Sequence, residues 1–150
     1  MTRLRMILAA LLVSWPLHAW AGPAEDASAV IDRWAAAVSA NDADAVVKLY
    51  TPDAVLYGLT SFKLHTGTEA IRDYFRTAHE SGNKVTIGVR HMVVLADTAV
   101  MGVGFYQFDL IQNGIRVPRS ARFTFVVVKR GADWLIAHQH SSALPPAPYQ

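Results

Sequence analysis

Four long strand-forming runs fill the C-terminal half of the chain, and they limit the possible folds more than any other feature. The runs cover residues 85–95, 99–111, 115–129 and 134–142. They are rich in the β-branched and aromatic side chains that favour strands. Only a few residues separate them, and one break is Asn113-Gly114, which is typical of a tight hairpin. Consecutive strands joined by such short turns must pair antiparallel, so this half is predicted to form a curved antiparallel meander.

The N-terminal half instead predicts three helices and one short strand. Apolar residues recur at three- and four-residue spacing between Ala27 and Val38. A second helix is expected from the cap Asp42 through Tyr50, and residues 66–69, "TGTE", form a capping box for a third. The strand "AVLYG" lies between them, and "LTSFKLH" is predicted to be an irregular loop. The sequence therefore predicts an α+β fold in which a short strand and a four-stranded meander pack on three N-terminal helices as a cone with a pocket.

Residues 1–21 carry the pattern of a secretory signal peptide. Arg3 and Arg5 precede an apolar run that ends at Trp15, and Ala19-Trp20-Ala21 is a cleavage pattern. An uncleaved membrane anchor is the alternative, although the apolar run is too short to span a bilayer. We therefore expect a signal peptide over 1–21, a single domain over 22–150, and a periplasmic or secreted protein that is free of the membrane after cleavage. The lack of cysteine suits a bacterial periplasm.

The charge balance argues against a nucleic-acid partner. The chain has 14 basic and 12 acidic residues, and two of the basic ones leave with the signal peptide. The mature chain is then formally neutral, without the basic excess that phosphate binding requires. The lack of cysteine also excludes a cysteine nucleophile and thiolate metal ligands.

Two histidines, His138 and His140, lie two residues apart in the last predicted strand. Regular alternation would place both on the same face as Trp134 and Ile136, which we expect to face the helices. A metal site would need a third ligand, and no recognisable spacing supplies one, so neither a metal nor another cofactor is predicted. The histidines remain tentative catalytic bases.

Arg122 interrupts an otherwise apolar run, 121–128. A charged residue in such a run is either paired inside a pocket, engaged in a structural salt bridge, or exposed at the surface. Tyr57 and Phe62 belong to the short strand and the irregular loop near the predicted pocket mouth. Tyr106 and Trp34 are further aromatic candidates for lining the pocket, or for simple core packing.

The residues 122–145, "RFTFVVVKRGADWLIAHQHSSALP", together with "LYTPDAVL" (49–56) and "GTEAIRDYF" (67–75), resemble the SnoaL-like proteins of the nuclear transport factor 2-like superfamily. Within these, the chain resembles bacterial proteins that are similar to the association domain of calcium/calmodulin-dependent protein kinase II. The resemblance implies the cone fold, a homodimer or higher homo-oligomer formed through the outer face of the sheet, and an Arg122 that faces the cavity and binds a carboxylate. Because this fold hosts many activities, it does not define the function.

The primary hypothesis is a small-molecule-binding domain with a cone pocket, whose ligand carries a carboxylate. One alternative is a cofactor-independent isomerase, dehydratase or cyclase that uses a pocket histidine, and another is a homo-oligomerisation module without chemistry. The predicted ligand-binding residues are Arg122, Tyr57, Phe62, Tyr106, Trp34 and Ser142, and the tentative catalytic residues are His138 and His140.

Overall fold

The computed structural model of the protein describes residues 22–78, 84–112 and 115–145. The predicted signal peptide over residues 1–21 and the Asn113-Gly114 turn lie outside the described residues. Within those ranges, none of the helices has the length and hydropathy that crossing a bilayer would need.

The described residues form three helices and one six-stranded sheet, which confirms the predicted α+β class. The sheet is open, and its strands follow the order β2-β1-β6-β5-β4-β3. The elements along the chain are α1 (Pro23–Ser39), α2 (Ala43–Val47), β1 (Tyr50–Tyr57), β2 (Leu64–Thr66), α3 (Gly67–Ala78), β3 (Lys84–Ala96), β4 (Ala99–Gln112), β5 (Ile115–Arg130) and β6 (Asp133–Ala143).

The meander from β3 to β6 is antiparallel throughout, as the short breaks predicted. The sheet as a whole is mixed, however, because β1 pairs parallel with β6. The segment predicted to be an irregular loop ends in the first two residues of β2, which pairs antiparallel with β1 and forms one edge of the sheet. Periodicity within a segment indicates a strand, but it does not say which distant strand will be its partner.

The second helix is shorter than its apolar spacing predicted. It ends at Val47, and Tyr50 is instead the first residue of β1. The amide of Ile136 donates a hydrogen bond to the carbonyl of Leu49 over 2.8 Å, and Tyr50 pairs with Ile136. Pairing with the last strand therefore starts β1 three residues after the helix ends.

The core lies between one face of the sheet, which we call the inner face, and helices α1 and α3. Trp34 of α1 is fully buried at its centre. Its ring lies 5.1 Å from that of Phe125, 5.9 Å from that of Tyr106 and 6.2 Å from that of Phe75, measured between centroids. These rings pack against one another beneath the helices. The opposite, outer face of the sheet is left without a covering layer among the described residues.

Candidate functional site

A β-bulge in β6 decides which side chains reach the interior. Val127 of β5 pairs with Ile136, but its neighbour Val126 pairs with His138, so Ala137 has no partner. One extra residue reverses the alternation of everything that follows it in the strand. The expectation that His138 and His140 share the face of Ile136 is therefore wrong, and both imidazoles lie on the outer face.

The same bulge turns two polar residues of β6 inward, Gln139 and Ser141, which regular alternation would place on the outer face. Gln139 is 2% exposed and Ser141 is 6% exposed. The hydroxyl of Tyr50 donates to Oε1 of Gln139, and Nε2 of Gln139 donates to Oγ of Ser141 over 3.2 Å. We call Tyr50, Gln139 and Ser141, with the adjoining Trp34 and Tyr106, the interior polar cluster.

The tyrosine hydroxyls of this cluster are neutral and partly unsatisfied. Burial raises the pKa of Tyr50 well above its ordinary value, and burial likewise raises the pKa of Tyr106. The hydroxyl of Tyr106 faces Ser141 and Gln139. Within the described part of the chain, neither this hydroxyl nor Nε1 of Trp34 has a hydrogen-bond partner of good geometry. Trp34 and Tyr106 were predicted either to line the pocket or to pack in the core. The structure places both in the interior, where their rings stack on each other.

Three of the other predicted residues, Arg122, Ser142 and His140, line an open groove on the outer face with a volume of about 530 Å³. Arg122 therefore does not face the space beneath the helices, where the predicted cone pocket would lie. Arg122 and Ser142 are directly opposite in the ladder, and Nε of Arg122 donates to Oγ of Ser142 over 3.1 Å. Thr124 is opposite His140 in the next outward-facing row. The apolar walls of this groove, which we call the Arg122 groove, are Val89, Val103 and Phe105, and His91 lies at its far side.

The lining of the Arg122 groove carries a positive charge, that of Arg122, and no negative charge. None of the residues that line it is acidic. Across the described ranges, Arg122 makes no ion pair, whereas Arg72, Arg76 and Arg90 each have a carboxylate partner. An unpaired guanidinium beside two hydroxyls and an apolar wall is suited to an anionic group attached to a hydrocarbon body.

Tyr57 lies beside the groove, next to His140 and towards the β2 edge of the sheet. It is 47% exposed, and its ring centroid lies 5.8 Å from that of His140. His138 lies between Val55 and Val126, and burial, followed by the neighbouring His140, lowers its pKa. His138 is therefore neutral near pH 7.

The structure separates the remaining predicted features. Phe62 is fully exposed in the loop between β1 and β2 and does not line the Arg122 groove. Among the described residues, no histidine forms an ion pair with a carboxylate, and no three His, Asp or Glu side chains come together as ligands for one metal ion.

The structure also contains a second, smaller recess, which the sequence did not predict. Oγ of Ser61 lies 2.8 Å from Nε2 of His65, whose ring packs on Tyr74 at 4.9 Å. Asp73 also lines this recess, which has a volume of about 330 Å³. Its carboxylate pairs with Arg76 at 3.2 Å. Among the residues that the structure describes, the Ser–His contact therefore has no acidic third member of the kind that orients a catalytic histidine.

A family profile and a solved structure both match most of this chain. The sequence profile of the SnoaL-like domain matches residues 27–148. A Xanthomonas campestris structure named for the calcium/calmodulin-dependent protein kinase II association domain is 35% identical, with a TM-score of 0.77, covering 82% of this chain and 89% of its own. No curated protein matches the chain.

Two more distant structures share the fold alone. A ketosteroid isomerase-like protein from Erwinia carotovora atroseptica is 17% identical, with a TM-score of 0.72, covering 82% of this chain and 97% of its own. The hub homology domain of the same kinase from Chlamydomonas reinhardtii is 18% identical, with a TM-score of 0.68, covering 80% and 97%.

Proposed function

Because the chain belongs to the SnoaL-like family, we propose that it is a small-molecule-binding domain whose ligand carries a carboxylate, held at Arg122 on the outer face of the sheet. The observation that supports this is the unpaired guanidinium of Arg122 in a groove that has no acidic lining residue. The predicted signal peptide makes an exported ligand-binding protein part of the same proposal.

The groove offers both parts of an amphiphilic acid a suitable surface. A guanidinium can hold a carboxylate through two parallel hydrogen bonds, and Ser142 and Thr124 add hydroxyl donors beside it. Val103 and Phe105 provide the apolar surface for the rest of the ligand. The described interior, in contrast, contains closely packed aromatic rings, and the interior polar cluster contains no charged group to meet a carboxylate.

The enzyme alternative is less well supported by the positions of the histidines. A cofactor-independent isomerase needs a base near its substrate and a donor for the developing oxyanion. His138 and His140 were the predicted bases, and both lie across the sheet from the buried hydroxyl of Tyr106. The tyrosine beside them on the outer face is Tyr57. An activity of this kind would have to occur in the Arg122 groove and not beneath the helices.

The test is a thermal-shift screen of small aliphatic and aromatic carboxylates, each compared with its uncharged primary amide. We expect a concentration-dependent rise in Tm with acids and none with the amides. Arg122→Gln should abolish the rise, whereas Arg119→Gln, on the same strand with its side chain on the opposite side, should preserve it. Equal stabilisation by acids and amides, or an unchanged response in Arg122→Gln, would refute the carboxylate site.

The outer face also favours a second candidate function, self-association. Val89 is 72% exposed, Phe105 is 51% exposed and Val93 is 41% exposed on this face. A contiguous apolar patch of this kind marks an interaction surface in a soluble protein. The occupant that we propose is a second copy of the chain, as in a homodimer or a higher homo-oligomer. The X. campestris relative is named for an association domain.

Sedimentation velocity over a range of protein concentrations tests this second proposal. We expect a concentration-dependent dimer, and we expect Val93→Lys to weaken it because a desolvated lysine would lie in the contact. Lys48→Glu, an exposed change on the helical side, is the matched control. A protein that stays monomeric at all concentrations would contradict association.

A further inference from the structure

The Arg122 groove lies near the middle of the exposed sheet face. Strand β5, which carries Arg122, is flanked in the sheet order by β4 and β3 on one side and by β6, β1 and β2 on the other. Exposed apolar side chains lie on both sides of the groove, with Val89 and Phe105 towards β3 and with Tyr57 and Leu64 towards β2. A second copy that contacts this face would therefore meet a surface that is cationic at its centre and apolar on both sides.

A two-fold contact through this face brings identical patches together. In such an isologous contact, residues near the centre of the patch approach their own counterparts. The guanidinium groups of the two copies would then face each other in a partly desolvated space, where like charges oppose association. Among the described residues, no acidic side chain lines the Arg122 groove to compensate. Asp109 is four residues along β4 from Phe105, the ladder partner of Arg122, and its carboxylate accepts a hydrogen bond from Gln107.

We propose that a dianion, in the simplest case a dicarboxylate, bridges the grooves of two copies, so that each groove is half of one site. One carboxylate would take the guanidinium of Arg122 and the hydroxyls of Ser142 and Thr124 in one copy, and the other carboxylate would take the same groups in the partner copy. This inference rests on the proposed ligand site and on the proposed association, and it adds that the two are coupled. By linkage, an anion that binds only across the pair must tighten the pair.

The experiment measures the dimer dissociation constant of the purified protein by sedimentation in three buffers of equal ionic strength and neutral pH. The buffers contain chloride, acetate or succinate. We expect succinate to tighten the dimer by about tenfold or more over chloride, which corresponds to about 1.4 kcal/mol. Acetate should tighten the dimer clearly less than succinate does, because it can neutralise a groove but cannot link two.

Two variants separate the bridge from simple charge screening. Arg122→Leu removes the central repulsion and the anion site together, so its dimer should be tighter than the wild type in chloride and should no longer respond to succinate. Arg119→Leu removes the same charge from the same strand on the other side of the sheet, and it should behave as the wild type does.

The outcomes distinguish this inference from the proposals beneath it. Calorimetric binding of succinate without a change in the dimer constant would overturn the bridge and leave a ligand site on a single copy. A dimer that is equally tight in chloride and succinate would overturn the bridge and leave association intact. If the protein neither binds succinate nor associates, both the inference and the proposed function are overturned.

Discussion

The hydrogen bond between Tyr50 and Gln139 gives the sharpest test of the bulge that places the site. Both side chains are buried, at 5% and 2% exposure, and the tyrosine hydroxyl donates to the glutamine carbonyl. Gln139→Leu leaves that hydroxyl without its acceptor in an apolar surrounding. An unpaired buried polar group costs about 1–3 kcal/mol, so we expect a loss of unfolding free energy in this range. Tyr50→Phe, which leaves Oε1 of Gln139 without its donor, should cost a similar amount.

The double variant Tyr50→Phe/Gln139→Leu should lose less than the sum of the two single variants. Both side chains are then apolar, so no hydroxyl or amide oxygen of this pair remains buried without a partner. We expect a coupling of about 1–2 kcal/mol, within the usual range for residues in direct contact. The remaining cost, about 1 kcal/mol, reflects the lost bond from Gln139 to Ser141.

Urea unfolding followed by tryptophan fluorescence measures these differences, and unchanged m-values would show that the native fold is kept. His140→Leu, one residue further along the same strand but on the outer face, is the matched control. It should change the unfolding free energy by about 0.5 kcal/mol or less. The reasoning fails if His140→Leu costs as much as Gln139→Leu, since Gln139 would then not point inward, or if the two single costs simply add.

Three further predictions concern the core, the pH response and the sheet. Trp34→Ala should lose about 3–5 kcal/mol in urea unfolding, because the fully buried ring contacts three other aromatic rings, and a loss under about 2 kcal/mol would contradict this central position. Because burial lowers the pKa of His138, the unfolded chain takes up its proton first. Its contribution to stability is therefore complete above the ordinary pKa of 6.5 and is lost as the pH falls through the lowered value, so Tm should fall on acidification and fall less in His138→Gln. Gly104→Ala should lower the unfolding free energy by about 1–3 kcal/mol, since the added Cβ would lie 2.5 Å from the carbonyl oxygen of Val89. Gly88→Ala should cost less, because the nearest atom to its added Cβ is 3.2 Å away. The reverse order in urea unfolding would argue against this pairing of β3 with β4.

Much of the fold could be predicted because it depends on local patterns. The strand-forming runs and their short breaks led to the antiparallel meander, and the apolar spacing from Ala27 to Val38 led to α1. The parallel pairing of β1 with β6 could not be predicted in this way, because it joins segments about eighty residues apart and depends on where α3 and the meander bring the chain back. The prediction that Tyr50 belongs to a helix failed for the same reason.

The candidate site was predicted in its residues but not in its arrangement. Arg122, Ser142, His140 and Tyr57 were selected from residue type and position, and the structure brings them to one surface. They were expected to share that surface with Tyr106, which lies instead on the other side of the sheet, beneath the helices.

The sequence by itself determined the fold class, the meander and the set of polar residues available to a site. It did so because hydrophobic periodicity and turn chemistry act over a few residues at a time. Only the tertiary structure decided which face those residues occupy. One unpaired residue, Ala137, reverses the alternation of β6, turns Gln139 and Ser141 into the core and leaves His138 and His140 outside. A bulge depends on how two strands align across the sheet, and the sequence of one strand does not contain that alignment.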